Sequence, residues 1–275
     1  MKEMTLKEQQ NFFLDIMKDV HKFCEENKIR YSLYGGSMIG ALRHKGFIPW
    51  DDDIDIIMPR KDYDLFCRTY KSNKYILIDA EHDKNCFLAF ARVCDMEETY
   101  VKTYIPWCSY NTGCWIDVFP ADGFPSEQSQ QNALYAQCYN LRKKVTRLRI
   151  IKSTFHGSMI DHLKLLIKKI ITFNGVGVQK DVQKLIKATK SYDFESSPMW
   201  ASLSCMKRSG KWQLKHHPKE TFETCLLFPF EDTNLYVMNG YDSVLTQRYG
   251  DYMKLPPDNE QHPLHTFATY FWKNK

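Results

Sequence analysis

Residues 29–58 read IRYSLYGGSM IGALRHKGFI PWDDDIDIIM. Ile29 to Tyr34 has the character of a short strand, Gly35-Gly36-Ser37 interrupts it, and Met38 to Arg43 reads as a short helix. After a turn at Gly46 to Pro49, Asp53-Ile54-Asp55-Ile56-Ile57 is rich in β-branched residues and alternates with period two over at least its first half. On a strand, Asp53 and Asp55 share one face while Ile54 and Ile56 take the other. The order is strand, glycine turn, helix, acidic strand.

Working outward, Thr5 to Lys28 sets Leu6, Phe13, Ile16, Met17 and Val20 at helical spacing, with Thr5 and Glu8 placed for a capping box. Downstream, Asp62 to Tyr70 fits a helix, and Tyr75 to Asp79 and Phe87 to Cys94 fit strands. Trp115-Ile116-Asp117-Val118-Phe119 repeats the strand signal with Asp117 on the face of Trp115 and Phe119. From Ser126 to about Lys190 the pattern is helical and basic. The class is α+β (mixed α/β), with a catalytic-type core over 1–125, a helical basic region over 126–222 and a C-terminal segment over 223–275 that packs back on the core.

Apolar residues are 43% of the 275, enough to bury a core and to exclude disorder along the whole chain. The first ten residues lack an apolar run, and lysines break the most apolar stretch, His162 to Phe173, so neither a signal peptide nor a membrane span is expected. Nine cysteines without a C-x-x-C pair read as thiols of a reducing, cytoplasmic compartment. The net charge of +5 conceals a block: Arg142 to Lys190 carries 13 Lys and Arg against Asp161 and Asp181. Such a block seeks an anionic neighbour.

Asp51, Asp52, Asp53 and Asp55 place four carboxylates in five residues, a self-repelling cluster unless solvated, protonated or bound to a cation. An exposed acidic turn is the plain reading, but the apolar Ile54, Ile56, Ile57 and Met58 bury one side of the run. An EF-hand needs glycine where Ile56 stands and is set aside. A D-x-D site for a nucleotide-sugar stays open on these residues alone. Gly35, Gly36 and Ser37, the last 16 residues before Asp53, offer backbone amides and a hydroxyl to phosphate. Asp117 supplies a third carboxylate from a further strand, the arrangement of a polymerase β-type nucleotidyltransferase core. Oxygen-only ligands favour Mg²⁺ or Mn²⁺ over zinc.

Tyr34-Gly35-Gly36-Ser37, then Gly40 through Asp55 without a break, closely resembles the LicD family signature. The resemblance continues through Pro59 to Tyr63 and Ile116 to Pro120, and returns at Tyr249-Gly250-Asp251-Tyr252-Met253 with Pro256 and Pro257. LicD-like proteins, with the fukutin-related proteins among their relatives, share the polymerase β-type fold. They move a phospho-alcohol from a CDP-activated donor, commonly CDP-choline, to a sugar hydroxyl and release CMP. The resemblance implies Asp53 and Asp55 as metal ligands, Asp117 as metal ligand or general base, and Gly35, Gly36 and Ser37 as the phosphate cradle. Asp51 and Asp52 come second.

Arg43, His44 and Lys45, between cradle and carboxylates, are candidate phosphate contacts, as is Arg92 within the apolar run Ala89 to Val93; each is also readable as a solvated or structural charge. His216-His217 and His262-x-x-His265 lack cysteine partners at zinc-finger spacing and read as isolated histidines. Trp50, Tyr104, Trp107, Tyr110 and Trp115 lie near the motifs, without any one of them marked as a cage for a quaternary ammonium. The expected partners are a CDP-alcohol donor and a glycan or lipid-linked glycan acceptor, with no nucleic acid. Lys164, Lys168 and Lys169 among Leu163, Leu165, Leu166, Ile167, Ile170 and Ile171 suit peripheral contact with an anionic inner leaflet, or a helix packed on the core. A nucleotidyltransferase, a glycosyltransferase and a non-catalytic anion-binding protein remain as alternatives.

Overall fold

A computed structural model describes residues 1–103, 106–151, 159, 163–164, 166–167, 177–204, 215–263 and 268–274. In chain order its strands are β1 (Lys2–Glu3), β2 (Ser32–Leu33), β3 (Asp55–Pro59), β4 (Tyr75–Ile78), β5 (Ala91–Asp95), β6 (Thr99–Thr103), β7 (Trp115–Phe124), β8 (Met199–Ala201), β9 (His217–Pro218), β10 (Cys225–Phe230), β11 (Thr233–Met238) and β12 (Ala268–Trp272). The α-helices are α1 (Leu6–Asn27), α2 (Gly35–Ile39), α3 (Arg60–Thr69), α4 (Gln128–Ile151), α5 (Val178–Thr189) and α6 (Tyr241–Tyr249), and a π-helical turn, Gly40–His44, prolongs α2. The chain is of mixed α and β class. Among the described residues no helix is long and apolar enough to cross a membrane.

The central sheet runs β2-β3-β7-β5-β4, with β8 and then β9 extending it beside β7. Among the described residues only the β3–β7 pair is parallel, and its register sets Asp55 against Asp117. β7 is apolar along nearly its whole length and buried on both faces, as a central strand must be. β12 pairs with β1 and β6 in a second sheet, and β10–β11 forms a hairpin that Met238 N–H ties to Ser32 Oγ at 2.9 Å.

α1 packs against β5 and β7. It starts as its sequence requires, with Thr5 N–H donating to Glu8 Oε2 at 2.8 Å and Glu8 N–H donating to Thr5 Oγ1 at 3.3 Å. The Thr5 donors hold the Glu8 carboxyl down at about 2. Phe13, Ile16, Met17, Val20 and Cys24 form its buried stripe. At the far end of the sheet, buried Arg60 donates from Nε to Asp122 Oδ1 at 2.7 Å and from Nη2 to Thr189 Oγ1 at 3.3 Å, joining α3, β7 and α5. Burial raises the Asp122 carboxyl to about 6, against the opposing pull of Arg60.

The fold differs from the sequence reading in the following respects, among others. The Gly35-Gly36-Ser37 run is the first turn of α2 and not a turn before it. The second half of the chain, expected to be helical, also contains β8 to β12. β8 and β9 have three and two residues, too few to show a period of two. All eight described cysteines are free thiols, six of them buried.

Candidate active site

Asp55, Asp117 and Arg92 occupy one row across β3, β7 and β5: Asp55 pairs with Asp117 in the parallel ladder, and Arg92 pairs with Asp117 in the antiparallel one. Side chains in such a row project from the same face. Arg92 Nε donates to Asp117 Oδ1 at 2.6 Å and Nη2 to Oδ2 at 3.3 Å. The guanidinium also lies over the rings of Trp107 and Trp115, 4.5 and 4.2 Å from their centroids. Its Nη1 is buried without a hydrogen-bond partner.

Asp53 stands ahead of β3, in the irregular stretch 51–54, and there lies the reason the acids converge. A continuous strand would have alternated them; irregular backbone gathers carboxylate oxygens of Asp51, Asp52 and Asp53 within 4.8 Å of one another. Contacts that hold this stretch include the following. Buried Gln10 of α1 donates to the Asp51 carbonyl at 3.0 Å, Asp51 N–H closes a turn on the Ile48 carbonyl at 2.9 Å, and Asp55 N–H donates to Ser37 Oγ at 2.9 Å. Ser37, expected at phosphate, thus accepts from the first residue of the acidic strand. Farther back, Glu231 at the β10–β11 tip accepts from Phe47 N–H at 3.1 Å, while its own N–H donates to the Lys45 carbonyl at 2.8 Å.

The two glycines adjoin the carboxylates directly. Gly35 has φ +58°, a conformation that favours glycine, and a Cβ there would lie 3.4 Å from Tyr249 Oη and 3.7 Å from Asp55 Oδ2. A Cβ on Gly36 would lie 2.8 Å from Asp51 Oδ2. Together they line a cavity of about 1080 Å³, with Asp51, Asp53 and Asp55 on its wall. This arrangement gathers carboxylate oxygens that could hold a metal ion beside backbone amides open to an anion.

Residues 28–135 match the model of the LicD/FKTN/FKRP nucleotidyltransferase domain. Over 281 aligned residues, 98% of this chain and 99% of the relative, the sequence is 33% identical to the lipopolysaccharide cholinephosphotransferase LicD of Haemophilus influenzae. The chain belongs to the LicD family. Shorter matches link it to an uncharacterized protein of Rickettsia typhi, 33% identical over 30% of this chain and 26% of the relative, and to one of Rickettsia prowazekii, 45% identical over 17% and 18%.

In this LicD-family chain the opposite cavity wall comes from the C-terminal segment, to which the sequence reading gave no chemistry beyond packing back on the core. Arg248, Tyr249, Asp251, Tyr252 and Lys254 line it. Arg248 lies over the rings of Tyr34 and Tyr249, 4.9 and 5.4 Å from their centroids. Desolvation raises the Tyr249 phenol above its usual range; Arg248 opposes the rise, and the carboxylates of Asp55, Asp51 and Asp53 reinforce it. Arg43 also lines the cavity, and its Nη1 donates to the carbonyls of Tyr252 at 2.7 Å and Lys254 at 3.0 Å, fastening one wall to the other. His44 accepts from Arg43 Nε at 3.0 Å, and burial with the adjoining Arg43 charge lowers its imidazole. Lys45 is exposed, with φ +56°. Of the three basic residues between cradle and carboxylates, the structure brings Arg43 to the cavity. Arg92 is engaged with Asp117. The Tyr249-Gly250-Asp251-Tyr252 motif was the available signal for the missed wall; its link to the cradle spans about 200 residues of sequence and leaves no local pattern.

Proposed function

We propose that the chain transfers a phospho-alcohol, phosphocholine from a CDP-choline donor, to a hydroxyl of a cell-surface glycan and releases CMP. The observation that carries this reading is the meeting of the Asp51, Asp53 and Asp55 carboxylates with Gly35 and Gly36 at one cavity, in a chain aligned end to end with a cholinephosphotransferase. It works from the cytoplasmic side, in peripheral contact with an anionic membrane.

A divalent ion fits the donor set. Oxygens about 2.1 Å from an Mg²⁺ ion lie at most about 4.2 Å apart, so carboxylates within 4.8 Å need only a small closure to reach it. Asp51 and Asp53 of that cluster, with Asp55 on the same cavity wall, would hold Mg²⁺ or Mn²⁺. When bound, the ion screens negative charge developing on the transferred phosphoryl group and on the leaving CMP. The amides of Gly35 and Gly36 orient the donor phosphates, and Arg43 and Arg248 contribute cationic charge to the same cavity. Asp117 orients the acceptor hydroxyl and takes its proton. Arg92 holds Oδ1 closely at 2.6 Å and Oδ2 more loosely at 3.3 Å, so Oδ2 would have to give up the longer contact to accept the proton.

The test is thermal unfolding with Mg²⁺ or Mn²⁺ and a panel of CDP-choline, CDP-ribitol, CDP-glycerol, CTP and UDP-sugars, followed by product analysis. Metal-dependent stabilisation by CDP-choline, lost in Asp53→Asn, and CMP as product are expected. Stabilisation by CTP or a UDP-sugar alone would overturn the reading.

A further inference from the structure

A second concave surface lies far from the carboxylates. α4 and α5 pack side by side and enclose a cleft of about 1180 Å³ whose rim carries Lys144, Lys184, Lys187 and Lys190. Lys190 reaches Asp64 at 3.3 Å, and Asp64 contacts the Arg60 that pairs with Asp122, so the cleft belongs to the far end of the central sheet. Asp122 follows Asp117 by five residues on β7, about 17 Å at strand spacing. The cleft is therefore separate from the candidate active site.

Three of its four lysines are held by protein carboxylates: Lys144 by Asp181 at 3.1 Å, Lys184 by Asp181 at 3.9 Å, and Lys190 by Glu81 at 2.7 Å. Lys187 makes no ion pair among the described residues; nor do Arg147 and Lys180, which are exposed on the same two helices. Lys180, Lys184 and Lys187 follow one another at helical spacing and form one basic stripe on α5. Between the two helices in sequence, Met159, Leu163, Leu166 and Ile167 are helical, spaced by four, three and one, and exposed, from 47% to 86%.

Unneutralised cations on the two helices, with exposed aliphatic side chains between them in sequence, match the boundary between headgroups and acyl chains. Nucleic acid would call for exposed rings to stack on bases. The exposed large apolar residues here are aliphatic, and Tyr135 and Tyr139 of α4 are buried and half-buried. We infer that the α4–α5 face, with the apolar side chains between its helices, docks on a bilayer of anionic phospholipid. Docking there leaves the separate carboxylate cavity free for donor and acceptor. The inference rests on the proposed function only for what docking serves.

The test is co-sedimentation of the full chain with vesicles of phosphatidylcholine alone or with an equal part of phosphatidylglycerol. Pelleting with the anionic vesicles at low salt, and its loss at high salt, is expected. The triple variant Arg147→Glu, Lys180→Glu, Lys187→Glu breaks no ion pair of the described structure, and it should lower vesicle partitioning on the order of 100-fold while its unfolding midpoint stays put. Leu163→Ser with Ile167→Ser should weaken the binding that remains at raised salt. Equal pelleting with both vesicle types, an undiminished triple variant, or competition by single-stranded RNA as effective as by phosphatidylglycerol would overturn docking. Inorganic phosphate at the same charge concentration should not displace the vesicles; if it does, the cleft is a site for free phosphate. Donor-induced thermal stabilisation of the triple variant, read separately, shows whether the catalytic reading stands without docking.

Discussion

Replacing Asp117 with asparagine should damage folding as well as turnover, and the two losses can be pulled apart. The amide of Asp117→Asn keeps an oxygen for Arg92 Nε but removes the charge facing a guanidinium whose side chain is only 7% exposed. With charge centres about 4 Å apart and an effective dielectric constant of about 20, the lost attraction is about 4 kcal/mol. Trp107 and Trp115 continue to hold the cation, and a neutral amide is cheaper to bury than a carboxylate, so the net loss should be about 2 to 3 kcal/mol. Arg92 already buries an unpartnered Nη1, so it has no spare donor geometry to absorb the change. Adding Arg92→Met removes the stranded cation and should bring stability back to within about 1 kcal/mol of the parent. The assay is urea unfolding followed by tryptophan fluorescence, with CMP release measured on the same samples. Two of the six tryptophans lie against Arg92, so the signal includes the perturbed pair. A coupling energy below about 0.5 kcal/mol in the double-mutant cycle would refute the ion-pair argument. Recovery of turnover in the double variant would refute the placement of Asp117 in the chemistry.

Three further outcomes follow from particular contacts. Gly36→Ala should cost less than about 1 kcal/mol in unfolding, because the atom met at 2.8 Å is the mobile end of Asp51, yet that carboxylate must withdraw and transfer should fall about tenfold; unaltered transfer would detach Asp51 from the site. Gly40→Ala meets the Gly46 carbonyl oxygen at 2.4 Å, a backbone atom, and should lower stability by at least about 2 kcal/mol in a urea titration. His217 is buried and its imidazole is lowered from 6.5 to about 4 by desolvation, with His216, Arg248 and Lys215 adding to the shift, so the folded state prefers the neutral ring. Its contribution is intact above pH 6.5 and is lost as pH falls from 6.5 toward 4, about 3 kcal/mol in full; His217→Asn should flatten that part of the stability–pH curve, and an unchanged slope would contradict the assignment.

What the sequence disclosed was whatever is both local and periodic. The Thr5–Glu8 box, the α1 stripe and the β-branched strand from Asp55 onward can each be read within one or two turns or strand repeats, and each stands where it was expected. The strand reading failed at Asp53, where period-two logic assigned a face to a residue that lies in irregular backbone. Nothing local distinguishes an acidic strand start from an acidic loop, because the difference is made by Gln10, 41 positions from Asp51, and by Ser37, 18 from Asp55. Distance in sequence also hid the second cavity wall: Arg43 is bonded to the Tyr252 carbonyl across 209 positions. Arg92 was ambiguous for a related cause. A cation in an apolar run announces that an anion must be near, but Asp117 on the adjacent strand and phosphate in the cavity satisfy that demand equally well from the viewpoint of sequence. Only the register of β5 on β7 selects Asp117. The family signature therefore fixes chemistry more firmly than local pattern does, since the spacing from Gly35 to Asp55 must preserve a three-dimensional meeting that no single element encodes.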